Sequence, residues 1–477
     1  LLLVIVLLLR RGMKAENILA FFCLLVVAVA AFYANGLLQV GAGYSAKVVC
    51  SGTFTGGRNF ERVVDEDISL PLPLFSITKE ENAVSVSTLF GLITRRANYD
   101  ANRNSCTLVA PGETTTIWDT VNFRNEEHVA SSNGVQWPQG DTQAAGSSTK
   151  INKQNLDKLM DAVFHEPVLK EAGIHRNSRA AVIVYDGEII GEQYAEGFSA
   201  DMPLLGWSMT KSVISTLIGA RIQEGKMSLS DNHLFSEWES DKRSTITLDQ
   251  LLRASSGLEF RETNDPWSDT SGMLFKSGDY VNYAASKPLV HEPDTVWSYS
   301  SGTTNLLAQL LRESFKNDGG DTAYWNYAND FFKKLGIDSM VIDTDATGTF
   351  VGSSFAHATA RDWARFGLFA LQRGQWNGEQ ILPESWFDYA LKPTPPAPKG
   401  EYGAQWWLNA GEQNNPSNRP YPNLPTDAFF AQGYLGQTVA VIPSKKLVVV
   451  RLGATTPTSA WNLAGFLEYI ITQVLVE

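Results

Sequence analysis

Cationic side chains are in short supply in this chain: 39 Lys and Arg face 51 Asp and Glu over 477 residues, a formal net charge of −12. A duplex binder displaces counterions from phosphates with basic side chains, so the balance argues against a nucleic-acid partner. Histidine is sparse as well. The six, at 128, 165, 175, 233, 291 and 357, have no metal-ligand spacing, so no metal is expected, and no organic cofactor is implied. There is no internal repeat, and 38 Gly with 20 Pro is too little for a collagen-like or low-complexity chain. With 44% hydrophobic residues the chain buries a large core, enough for two or three domains of roughly 100–200 residues or one large domain with a preamble.

Long apolar runs occur at the N-terminus. Leu1 to Leu9 is apolar, Arg10, Arg11 and Lys14 are basic, and Ile18 to Ala34 is seventeen residues without a charge. Basic residues ahead of an apolar stretch favour a cytoplasmic N-terminus and a translocated remainder. The reading is an exported, periplasmic protein held in the inner membrane by residues 18–34, with residues 1–35 as a signal or anchor. The small residues Ala28, Ala30 and Ala34 leave cleavage as the alternative. Cysteine is scarce: of three, Cys23 lies in the apolar run, leaving Cys50 and Cys106 as a candidate disulfide of an oxidising compartment, or else two separate buried thiols. A bridge closing that loop stabilises the early region by about 4 kcal/mol on chain-entropy grounds.

Residues 36–130 read as a small strand-containing accessory region, with Lys47-Val48-Val49-Cys50 and Ala83-Val84-Ser85-Val86-Ser87 as β-branched runs. Residues 131–150 are polar, rich in Gly, Ser and Gln, and read as a linker. Beyond it, 151–477 form the main domain. A helix is predicted over Asn155–Phe164, from apolar residues at 156, 159, 160 and 163. A hairpin follows at 180–192, turning on Asp186-Gly187, and a second joins 438–442 to 447–450. A helix over 459–474 closes the chain. Strands at both ends with helices between imply one sheet built from the two ends of the domain, in a layered α/β or α+β architecture.

Ser208-Met209-Thr210-Lys211 carries the chemistry. On a helix, residues three apart share a face, so the lysine amine reaches the serine hydroxyl; a serine is a weak nucleophile until a neighbour takes its proton. The same spacing occurs at Ser76/Lys79 and Ser147/Lys150, but only Ser208 is followed by apolar residues at helical period, Val213, Ile214, Leu217, Ile218 and Ile222, with Gly225 as a stop. Ser208 thus sits at a helix N-terminus, where backbone N–H groups favour an alkoxide or oxyanion; an N-cap serine beside an exposed lysine is the plainer alternative. Trp297-Ser298-Tyr299-Ser300-Ser301-Gly302 opens a further helix, Thr304–Glu313. A lysine ammonium beside Tyr299 favours its phenolate, so this tyrosine is a candidate proton relay.

Three stretches in order, Ser208–Lys211, Tyr299-Ser300-Ser301-Gly302-Thr303-Thr304-Asn305, and Ala431-Gln432-Gly433-Tyr434-Leu435-Gly436-Gln437 ahead of the last hairpin, resemble the motifs of serine hydrolases related to class C β-lactamases and penicillin-binding proteins. The variant is similar to the 6-aminohexanoate-dimer hydrolases and family VIII esterases, over roughly 150–477. The resemblance implies a β-lactamase/transpeptidase-like fold, an antiparallel sheet flanked by helices plus a helical subdomain. It implies Ser208 as acylated nucleophile, Lys211 as its activating partner and Tyr299 as general acid/base. It also places Gln437 N–H beside Ser208 N–H as oxyanion hole, with Gly436, Tyr434 and Ser301 at the substrate.

Two departures matter: Ser301 stands where the β-lactamases carry Asn, and Tyr434-Leu435-Gly436 where they carry Lys-Thr-Gly, which removes the cation for a β-lactam carboxylate. The tyrosine that assists the nylon-oligomer enzymes just before Asp265-Pro266 is likewise missing from Glu262-Thr263-Asn264. Ser230-Asp231-Asn232 and Lys276-Ser277-Gly278 imitate motifs but fall out of order, and Gly206-Trp207-Ser208-Met209-Thr210 lacks the last glycine of a nucleophile elbow. The expectation is an enzyme cleaving an ester or amide of a small molecule. A penicillin-binding peptidase or weak β-lactamase, and a non-catalytic cell-envelope binding module, are the alternatives.

Overall fold

The computed structural model describes residues 15–68, 74–88, 90–117, 135–142, 150–165 and 174–476. Arg10, Arg11 and Lys14 lie outside them, as do Ser147 and most of the 131–150 stretch.

One helix, α1 (Ala15–Cys50), opens the described chain. Its 36 residues hold no proline, and at 1.5 Å per residue they reach about 54 Å. A window of mean hydropathy 2.3 makes it long and apolar enough to cross a membrane. Its two halves differ: Phe21, Leu24 to Val27, Phe32 and Tyr33 are exposed, whereas Val40, Ala42, Ala46, Val48 and Val49 are buried. Two sequence expectations change here. The boundary expected at residue 35 falls inside α1, and Lys47-Val48-Val49-Cys50, read as a strand, forms its last turn. The helical cost of β-branched residues is only a few tenths of a kcal/mol each, and burial on both sides of this turn outweighs it.

A four-stranded antiparallel meander follows, β1 (Phe75–Lys79), β2 (Ala83–Thr88), β3 (Ile93–Asp100) and β4 (Ser105–Leu108), in sequential order. The buried half of α1 packs against it, and Cys50 and Cys106 form a disulfide between helix and β4. Next come α2 (Lys153–Phe164) and the hairpin β5 (Ser178–Tyr185) and β6 (Glu188–Tyr194). Its turn residues Asp186 and Gly187 both have positive φ, 50° and 87°, as a type I′ turn requires. The helical middle contains α3 (Thr210–Gln223), α4 (Asp269–Lys276), α5 (Ser301–Glu313) and α6 (Ala360–Leu371). The C-terminal part supplies β7 (Trp407–Leu408), β8 (Phe429–Gly433), β9 (Gln437–Ile442), β10 (Leu447–Gly453) and α7 (Leu463–Tyr469).

The main sheet has six antiparallel strands in the order β7-β8-β9-β10-β5-β6. Pairing of β10 with β5, from Leu447 opposite Tyr185 to Gly453 opposite Ser178, joins the two ends of the domain. Alternate side chains face opposite layers. Ala181, Ile183, Ala440 and Val449 meet α2 and α7, while Val182, Val439 and Val448 meet α6. Gly367 lets α6 approach closely, since a Cβ there would lie 2.6 Å from Val448 and 2.7 Å from Val439. The described part of the expected linker is held to α6: Arg365 donates to the carbonyls of Pro138 and Gly140 at 2.8 and 2.9 Å.

The early region shares one continuous apolar core with the main domain. A buried ionic cluster joins them. Lys47 pairs with Asp343 and donates to Ser51 Oγ at 2.8 Å and the Cys106 carbonyl at 2.9 Å. Asp343 also accepts from the Cys106 N–H at 3.1 Å, and His357 Nε2 lies 3.1 Å away. Burial works against this carboxylate's charge, but Lys47 and His357 outweigh it and hold its pKa below the usual range. Removing one partner of such a pair strands the other charge in low dielectric. Lys47→Met is therefore expected to destabilise the detergent-solubilised protein by about 3–5 kcal/mol in chemical denaturation. Lys47→Met/Asp343→Leu should lose markedly less, and an equal loss in both variants contradicts the ionic reading.

Candidate active site

Ser208 lies in a single 3-10 turn, Trp207–Met209, that runs directly into α3. Three bonds fix this entry. Thr210 Oγ1 donates to the Trp207 carbonyl at 2.7 Å, the Ala356 N–H donates to Thr210 Oγ1 at 2.9 Å, and the Gly206 N–H donates to the Ala356 carbonyl at 2.8 Å. Trp207 sits at φ +50°, a left-handed conformation that costs a bulky residue energy. Its ring is held by stacking on Tyr44 at 6.1 Å and by the edge of Tyr434 at 5.4 Å. Gly206 and Gly433 touch backbone to backbone: a Cβ on Gly433 would lie 2.1 Å from the Gly206 carbonyl. The turn bearing Ser208 is thereby pressed against the end of β8.

The apolar stripe predicted behind Ser208 is a helix buried on every side from Thr210 to Arg221. It ends as expected at Gly225, with φ +69°, where the Lys226 N–H returns to the Arg221 carbonyl at 3.0 Å. Lys211 is one of the largest fully buried side chains. Its ammonium reaches Ser208 Oγ at 3.3 Å, Ser301 Oγ at 3.0 Å and the Ser353 carbonyl at 2.9 Å, occupying all three donors. Burial lowers its pKa to about 8, against a raising contribution from Glu262.

Ser301 opens α5, whose cap is Ser300, accepting from the Thr303 N–H at 3.0 Å. Tyr299 comes just before this cap. Lys211 Nζ lies 4.8 Å from the centroid of its ring, and Ser208 is close enough to its phenol to lower the phenol's pKa. Tyr402 and Trp407 enclose the ring at centroid distances of 5.7 and 5.0 Å. The phenolate expected from sequence is not favoured here. Burial, then the charge of Glu262, pushes the Tyr299 pKa above its ordinary value, with Ser208 opposing. At neutral pH the side chain is a neutral phenol, because burial and the charge of Glu262 both oppose its ionisation.

The structure brings Ser208, Lys211, Tyr299 and Ser301 together. Tyr434 lines the same pocket as Ser208. Gln437, the first residue of β9, is buried; its side chain donates to the Tyr434 carbonyl at 3.0 Å and accepts from the Gly453 N–H at 2.9 Å. Gly436 takes φ +84°, and its carbonyl accepts from Arg451 at 3.2 Å. The two decoy motifs lie elsewhere, Ser230-Asp231-Asn232 beyond the end of α3 and Lys276-Ser277 at the end of α4.

Sequence reasoning passed over Glu262. Its two oxygens accept from Ser301 Oγ and the Ser301 N–H, both at 2.7 Å, so it caps α5 and completes a chain from Lys211 through Ser301 to a carboxylate. A lone acid in a polar loop carries no periodic signal, and Glu262 drew notice only as part of a loop lacking a tyrosine. The pocket also takes one wall from α1, including Leu37, Val40 and Tyr44, which no local pattern announces.

Comparison with known proteins places this geometry. Residues 153–464 match the Beta-lactamase family. The 6-aminohexanoate-dimer hydrolase of Paenarthrobacter ureafaciens is 23% identical over 321 residues, spanning 62% of this chain and 77% of its own. The solved structure of EstCE1, a hydrolase with promiscuous acyltransferase activity, superposes with a TM-score of 0.52 at 16% identity, over 66% of this chain and 97% of its own. That likeness is one of fold.

Glu262 raises the Lys211 pKa, so Glu262→Gln should move it below about 8. The pH dependence of the rate at which a fluorophosphonate labels Ser208 reads this directly. The rate should rise with pH as Lys211 loses its proton, and the inflection should shift to lower pH in the variant. An inflection that stays or moves upward contradicts the assigned coupling.

Proposed function

Since the chain belongs to the beta-lactamase family, whose fold and relatives make it a hydrolase, we propose that it cleaves an ester or amide bond through an acyl-enzyme on Ser208. The single observation that carries the reading is the buried Lys211 ammonium, 3.3 Å from Ser208 Oγ and lowered to about 8 by burial. A lysine with a pKa of about 8 is neutral in about one molecule in ten at pH 7 and in half at pH 8, and that neutral amine accepts the serine proton as Oγ attacks a carbonyl carbon. Tyr299, a neutral phenol beside Ser208, donates to the departing oxygen or nitrogen. Water then attacks the acyl carbon and releases the acid. The N–H groups of Ser208 and Gln437 bind the oxyanion, favoured by the N-terminal end of α3. Tyr434 and Ser301 contact the substrate.

Tyr434 stands where a β-lactamase carries its strand lysine, and Ser301 is engaged by Lys211 and Glu262. Both points favour an uncharged ester or amide over a β-lactam carboxylate. We further propose that α1 anchors the protein in a membrane with the hydrolase exported; the Cys50–Cys106 disulfide supports an oxidising compartment.

Three measurements test the reading. A fluorophosphonate should form one adduct, mapped to Ser208 and absent in Ser208→Ala; no Ser208-dependent adduct favours a non-catalytic binding module. Tyr299→Phe should lower kcat on a p-nitrophenyl ester by about 10²–10⁴-fold with unchanged thermal stability, and near-normal turnover excludes its role. In a substrate panel, short esters and amides should be cleaved in preference to nitrocefin, the reverse ranking indicating a β-lactamase.

A further inference from the structure

Leu37, Val40, Gly41 and Tyr44 all line the pocket that holds Ser208. Their spacing of three, one and three residues puts them on one face of α1. The same face continues toward the N-terminus through Tyr33, Val29 and Val26, which are 52%, 47% and 67% exposed. An apolar ribbon therefore runs without interruption along one helix, from the segment apolar enough to cross a membrane to the wall of the pocket beside the nucleophile. Tyr44, at its inner end, stacks on Trp207, the residue before Ser208.

Aromatic side chains mark the outer end. Tyr33 packs edge-on against Trp267 at 5.8 Å, and Trp267 is 49% exposed. Tyr and Trp gather at the level of lipid headgroups. From Tyr33 to Tyr44 is eleven residues, about 16 Å of helix, the distance from the headgroup level to the pocket wall.

A second exposed apolar group lies at the same level. Cys50 is bridged to Cys106, which pairs with Tyr99 of β3. From there β3 runs back past Arg95, which donates to the Lys276 carbonyl, while Gly43 of α1 abuts the neighbouring Phe275 carbonyl. Strand and helix thus keep level: six residues of β3 span about 20 Å, as do thirteen of α1, which brings Ile93 to the height of Leu37. Just beyond are Phe90 and Leu92, fully and 84% exposed, with Leu74 at the adjoining end of β1. A water-facing hairpin tip has no reason to carry these residues; one that dips into a bilayer does.

We propose that the substrate is a long-chain acyl lipid resident in the membrane, drawn laterally from the bilayer along α1 so that its acyl chain lies on the Tyr33–Tyr44 ribbon and its acyl carbonyl reaches Ser208. This deepens the hydrolase reading and rests on it. In the reaction, Ser208 Oγ bonds to the acyl carbon and its proton passes to Lys211. The bond from the acyl carbon to the alcohol oxygen or amine nitrogen breaks, and the leaving group takes a proton. Water then cleaves the acyl-serine, releasing a fatty acid and restoring the hydroxyl. Lipid and water yield acid plus alcohol or amine, with no other reactant.

The test uses the full chain in phosphatidylcholine vesicles with p-nitrophenyl palmitate and p-nitrophenyl butyrate. Wild type should turn over palmitate at least 10-fold faster than butyrate, and Gly41→Trp, which fills the groove, should reduce that ratio at least 10-fold. Leu37→Glu, at a position 45% exposed and so tolerant of a charge, should reduce it in the same direction. Fluorophosphonate labelling of each variant separates a misfolded protein from a blocked groove. Failure of wild type to label at Ser208 overturns the hydrolase reading itself. Labelling with no preference for palmitate, or a preference that survives both variants, overturns the membrane route alone.

Discussion

The site depends on an amine kept out of water. Lys211 is buried in the first turn of a helix buried on all sides, with its three donors fixed on Ser208, Ser301 and a backbone carbonyl. Desolvation penalises the charged form and brings the pKa to about 8. Other features of the centre support that condition. Gly206 and Gly433 allow the backbone contact that presses the Ser208 turn against the end of β8, Trp207 takes a left-handed conformation just before Ser208, and Glu262 restores part of the charge stabilisation that burial removes from Lys211. The same burial raises the pKa of Tyr299.

Local patterns made the main sheet and the nucleophile legible. Asp186-Gly187 announced its hairpin because few residue pairs tolerate two positive φ values, and the two short apolar, β-branched runs in 438–450 flank a turn. Ser208 stood out from two other serine–lysine spacings by the apolar residues behind it, which do form α3. What escaped depends on contacts distant in sequence. Lys47 to Cys50 has strand composition, yet its residues meet a buried carboxylate nearly 300 positions away, and that environment made them helical. Glu262 approaches Ser301 across 39 residues that include α4. The shift of Tyr299 opposes the one expected from its neighbouring lysine, because pairwise charge can be guessed from a motif and desolvation cannot.

The N-terminal helix links an exposed apolar segment to the candidate site. Its outer half is apolar and exposed, its inner half is core, and the transition occurs within a few residues of the pocket wall. A separable anchor and an independent catalytic domain would need a break in the helix and separate cores; neither is present among the described residues. The disulfide and the Lys47–Asp343 pair hold the inner half in place against the wall of the pocket.

The central claim concerns the protonation of one lysine, and NMR titration of the chain carrying ¹³Cε-labelled lysine measures it directly. The account predicts a resonance titrating near pH 8 that is absent from Lys211→Arg, set apart from the exposed lysines at about 10.4. If the resonance lost in Lys211→Arg titrates with those exposed lysines, the amine is an ordinary ammonium at neutral pH and the proposed activation of Ser208 is wrong.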